Sequence, residues 1–69
     1  MNIGDTIFLL YTDRKTKEKS CSGPSKIIGF EIEPLNDEGV IIIEKNDGSK
    51  SAVNLEGTSS HDVDIHFVG

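Results

Sequence analysis

Two strand-like runs, Val40-Ile41-Ile42-Ile43-Glu44-Lys45 and Ser49-Lys50-Ser51-Ala52-Val53, flank the tripeptide Asn46-Asp47-Gly48. β-Branched runs on either side of a short Asn/Asp/Gly segment are the strongest local signal for a β-hairpin, because Asn and Gly tolerate the left-handed backbone that a tight reversal needs. The chain must therefore contain an antiparallel pair, and the rest of the sequence has to supply strands that cover it.

Three more runs do so. Residues 6–12 are rich in aromatic and β-favouring side chains and lack the polar residue at every third or fourth place that an exposed helix requires. Residues 25–33 alternate, with Ile28, Phe30 and Ile32 on one face and Gly29, Glu31 and Glu33 on the other. Residues 62–68 alternate as well, placing Val63, Ile65 and Phe67 inward and Asp62, Asp64 and His66 outward. Residues 13–24 are polar, charged and close on Ser22-Gly23-Pro24, which predicts a long loop. Residues 34–39 predict a turn with Gly39 at positive φ, and residues 56–60 a second break.

Five short strands without a helix of useful length have to close or roll up to protect their edges. The expectation is an all-β, five-stranded antiparallel barrel, a single domain over residues 1–69 whose tight hairpin lies at residues 46–48. The order of connections (long loop, short turn, tight hairpin, short break) resembles the SH3-like barrels, a class that includes Tudor-like and KOW-like modules. Ile3-Gly4-Asp5-Thr6-Ile7 also looks like the Gly-Asp turn that often introduces their first strand. The resemblance covers the whole chain, concerns architecture and carries over no binding residues. The four aromatic residues, Phe8, Tyr11, Phe30 and Phe67, are too few for a proline-peptide groove or for an aromatic cage around a cation.

Charge and chemistry narrow the functional classes. A net charge of -5 opposes the uniformly basic surface of an ordinary nucleic-acid binder. One segment runs the other way: residues 13–26 hold Arg14, Lys15, Lys17, Lys19 and Lys26 against Asp13 and Glu18. Cations on a loop can engage phosphates with salt-sensitive affinity, so these five residues form the candidate site for a nucleic-acid-binding alternative. Rows of carboxylates at Glu31 and Glu33, and at Asp62 and Asp64, raise the opposite alternative, an acidic phosphate mimic that blocks the basic site of a nucleic-acid-binding protein.

No catalytic site, metal site or cofactor is expected. His61, Asp62, Asp64 and His66 invite a metal reading, but Asp62, Asp64 and His66 span about 13 Å along a strand and His61 points the other way. The lone Cys21 permits no internal disulfide and has no histidine beside it to act as a base. Asp47-Gly48 lacks the downstream ligands of a calcium loop, and no phosphate-cradling glycine pattern is present. One cysteine, no basic leader and no apolar run long enough to span a bilayer lead to an expectation of a cytoplasmic protein without a membrane partner.

The apolar excess points to a partner. Phe8 and Leu10 oppose Ile7, Leu9 and Tyr11, while Ile41 and Ile43 oppose Val40 and Ile42, so two strands are apolar on both faces. The expectation is a non-enzymatic, protein-binding regulatory or inhibitory module whose contact surface includes Phe8, Leu10, Ile41 and Ile43. The partner is another protein or a second copy of the chain.

Overall fold

The computed structural model describes residues 1–36 and 38–68; Asp37, part of the turn expected at residues 34–39, and Gly69 lie outside the described residues. Five strands follow one another: β1 (Thr6–Asp13), β2 (Lys19–Leu35), β3 (Glu38–Glu44), β4 (Lys50–Asn54) and β5 (His61–Phe67). They form one sheet in the order β4-β3-β2-β1-β5, and every neighbouring pair is antiparallel. The fold is all-β and antiparallel, with no helix among the described residues, as the patterning predicts.

β2 organises the molecule. Its first half pairs with β1 from Thr12↔Lys19 to Thr6↔Lys26, and its second half pairs with β3 from Lys26↔Glu44 to Leu35↔Glu38. Side chains from the β1 side (Ile7, Leu9), from β2 (Ile27) and from the β3–β4 side (Ile41, Ile43, Val53) meet in one buried cluster. Tyr11, Phe30, Leu55, Val63 and Ile65 pack around it. The sheet therefore curls over its own inner face, which is how a short chain encloses a core without a second layer.

Closure stops short of a barrel. Among the described residues no ladder joins β4 to β5, so the two ends of the strand order remain separate edges. Residues 55–60 carry the chain from one edge to the other as a turn fastened to itself. Asn54 Oδ1 accepts the Glu56 N–H, Thr58 N–H donates to His61 O, and Thr58 Oγ1 accepts the His61 N–H.

The expected long loop at residues 13–24 is also corrected. Residues 19–24 belong to β2, and only residues 14–18 connect it to β1. Asp13 explains the short reversal: its carboxylate accepts the N–H groups of Lys15 and Thr16 at 2.8 and 3.0 Å, and its carbonyl accepts that of Lys17 at 2.8 Å. Lys17 then takes φ 65° to bring the chain back.

The β3–β4 hairpin is tight, but its geometry is a three-residue loop. Gly48 N–H bonds Lys45 O, Lys45 N–H bonds Ser49 O, and Gly48 alone in the tripeptide has positive φ. This is a type I turn followed by a left-handed glycine, a common alternative to the two-residue mirror-image turn.

Candidate interaction site

The alternation expected over residues 25–33 breaks at two bulges, a third register shift follows between Ile32 and Leu35, and these breaks create the exposed apolar surface. The register jumps between Ile27 and Gly29 and again between Phe30 and Ile32. Each extra residue resets which side chain faces inward. Ile27 is fully buried, Phe30 packs on the core, and Ile32 opposes Val40 on the outer face with 60% of its surface exposed.

The outer face of the β2–β3 hairpin thus carries Ile32 beside the half-buried Val40 and Ile42, with Leu35 72% exposed near the tip. A shallow cavity of about 190 Å³ lies against it, lined by Ile32, Glu38, Gly39, Val40, Asn54 and Glu56. Glu31, Glu33, Glu38 and Glu56 are all exposed around this strip. Between Lys26 and Lys45 the sequence contains five acids and no base. The nearest cations on this face, Lys26 and Lys50, stand opposite Glu44 at the far end of β3, so the surroundings of Ile32 and Leu35 are mainly acidic.

The residues expected to form a single contact surface separate. Ile41 and Ile43 belong to the core, at 0% and 1% exposure, because the inward parity of β3 falls on them; Val40 and Ile42 take the outer face instead. Phe8 and Leu10 are half-buried on the outer side of β1, where Phe8 opposes His66 and Leu10 lies between Cys21 and Asp64. They lie against the first half of β2, where Leu10 opposes Cys21, whereas Ile32 lies in its second half, which makes two surfaces of what the sequence suggested as one.

The basic residues are similarly dispersed. Arg14 Nε donates to Asp62 Oδ1 at 2.8 Å, and the Arg14 backbone N–H bonds Ser60 O at 3.0 Å, so this side chain fastens the β1–β2 turn to β5. Lys15 and Lys17 are exposed in the turn, and Lys19 opens β2 opposite Thr12. Lys26 lies seven residues further along the same strand, roughly 20 Å away, opposite Thr6 and Glu44. Cys21 is an exposed free thiol within β2.

The His61–His66 segment resolves into separate pairs. His61 Nε2 lies 3.8 Å from Asp13 Oδ2, and His66 Nε2 lies 3.6 Å from Asp64 Oδ2. Among the described residues no three His, Cys, Asp or Glu side chains converge in a way that could hold a metal ion. No described helix is long and apolar enough to cross a membrane.

A second depression of about 290 Å³ follows the free side of β5, lined by Met1, Leu55, Val63, Asp64, Ile65 and Phe67. Sequence reasoning anticipated the inward phase of Val63 and Ile65, which pack against the core; Phe67, expected inward as well, stays 52% exposed because the seam beside it is open. Comparison of the chain with protein-family models, with curated proteins and with solved structures found no match.

Proposed function

We propose that this chain is a small protein-binding module of SH3-like architecture without chemistry of its own, acting as a regulatory or inhibitory partner of another protein. The strand order and the division of β2 between β1 and β3 support the architecture; the open seam between β4 and β5 is its departure from a closed barrel. The observation that carries the functional reading is the Ile32–Leu35–Val40 strip. Two large aliphatic side chains, 60% and 72% exposed, stand beside half-buried neighbours among the exposed carboxylates of Glu31, Glu33, Glu38 and Glu56. Covering Ile32 and Leu35 would contribute about 1–2 kcal/mol each, and these carboxylates select a partner whose apolar patch is bordered by Lys and Arg.

The test places a photo-crosslinking side chain at Leu35 and, in a parallel sample, at Lys17. The expected result is a stoichiometric basic protein captured from Leu35, with capture weakened by salt and lost in an Ile32→Glu background. Capture from Lys17 alone would overturn the reading. In the same preparation, titration of single-stranded and duplex nucleic acid at low salt is expected to show no binding. Binding that weakens steeply with salt and depends on Lys15, Lys17 and Lys19 would transfer the function to the β1–β2 turn.

A further inference from the structure

The hydrogen-bond phase of β5 shows which of its groups are unused. Val68 N–H donates to Thr6 O and Arg14 N–H donates to Ser60 O, each at 3.0 Å, so the even-numbered residues 60–68 face β1. Val63, Ile65 and Phe67 accordingly turn their N–H and C=O groups toward the free edge, where no further strand lies among the described residues. Their side chains line the 290 Å³ depression with Leu55 and Met1. Within the single chain, one of these edge donors has a substitute partner: the Ile65 N–H bonds the carboxylate of Asp64 at 3.0 Å.

We infer that the free edge of β5 is a dimerisation strand that takes a second copy of this chain, paired antiparallel about a two-fold axis at Ile65. The free groups fix the parity of the register, odd residues against odd, and among the registers of that parity the one centred on Ile65 sets Asp64 against His66 instead of against another carboxylate. Val63 would exchange hydrogen bonds with Phe67 of the other copy, Ile65 with its own equivalent, and Phe67 with Val63. On the inner face this joins the two depressions, bringing Val63, Ile65 and Phe67 of both copies together. On the outer face it places Asp64 directly opposite His66 of the other copy, twice by symmetry, in the closer, non-hydrogen-bonded type of pair. The Asp64 carboxylate leaves the Ile65 N–H, which then bonds across the axis, and exchanges the His66 of its own chain, 3.6 Å away, for the imidazole of the other copy. Charge complementarity and backbone phase thus agree on one register. The β4 edge lacks this combination: its outward-turned groups belong to Lys50, Ala52 and Asn54, and the Asn54 carbonyl already accepts the Gly57 N–H.

The test is molar mass by light scattering over a concentration series, combined with residue-resolved amide exchange. The expected mass rises from 7.5 kDa to twice that value, and the amides of Val63, Ile65 and Phe67 gain protection in the dimer while that of Ala52 does not. Ile65→Pro removes an edge donor that β1 does not use and should leave only monomer. Should that variant fail to fold, the exposed pair decides: His66→Asp is expected to weaken the dimer at least fivefold, and adding Asp64→His is expected to restore it. A chain that stays monomeric up to about 1 mM overturns the inference. So does a dimer that ignores the charge reversal or leaves the three edge amides unprotected. Ile32→Glu, on the other apolar surface, should leave the dimer unchanged.

Discussion

Lys17 is held at φ 65° to complete the β1–β2 reversal, a conformation in which Cβ crowds the following carbonyl at a cost of roughly 1–2 kcal/mol. Glycine removes that crowding but returns conformational freedom to the unfolded chain, which offsets about half of the gain. Lys17→Gly should therefore stabilise the protein by about 0.5–1 kcal/mol, seen as a higher urea midpoint at unchanged slope; a lower midpoint would contradict this account of the turn. Two carboxylates at the hairpin ends set the response to acid. Hydrogen bonds from the N–H groups of Thr16 and Lys15 hold the Asp13 carboxyl below its usual range, and the hydroxyl and N–H of Ser49 do the same for Asp47. Both folded values are depressed, so their contribution is complete above the unfolded carboxylate value, about 3.9, and disappears as pH falls through the lower folded values. Stability should fall below about pH 4, and Asp13→Asn with Asp47→Asn should flatten that decline without altering the slope between pH 6 and 8. An unchanged acid slope in the double variant would show that these turns do not control it.

At the scale of elements, legibility followed the length of uninterrupted pattern. β1, β3, β4 and β5 begin and end within two residues of their expected limits, because each is a single run of β-favouring residues bounded by polar turns. β2 extends over 17 residues where nine were expected, since Cys21, Ser22, Gly23 and Pro24 have loop composition. They are drawn into the ladder by β1, and the register shift between Ile7 and Leu9 absorbs the misfit. The bulges around Ile28 and Glu31 left no mark in composition, yet they moved Ile32 from the expected inner face to the outer one. The same limit applies to β3: four consecutive aliphatic residues carry no parity, so only packing determines that Ile41 and Ile43 are buried. The candidate protein-binding strip consists of residues whose exposure depends on these resets. The β5 edge was half legible, since alternation gave the faces while the lack of a strand beyond β5 among the described residues is a property of the whole sheet.

The whole molecule depends on the point where β2 changes partner. Lys26 pairs with Thr6 of β1 and with Glu44 of β3, and its neighbour Ile27 opposes Ile43 with no exposed surface. Ile27 also fastens the start of the chain, giving its N–H to Asp5 O at 2.9 Å and receiving that of Gly4 at 2.8 Å. A side chain at this junction supports both halves of the sheet, so neither half has a separate core to retain when it is lost. Ile27→Ala removes buried methyl and methylene groups from a packed site and should cost about 2–5 kcal/mol. A domain of this size has a total stability of roughly 3–10 kcal/mol, so the variant would sit close to its unfolding transition. Because the halves share one strand and one cluster, the loss should be cooperative: slow-exchanging amides on β1 and on β3 should accelerate by the same factor, tracking global unfolding. Acceleration confined to β3 and β4, with β1 and β5 still protected, would show that the two halves fold as separate units and that the curled sheet is not a single core.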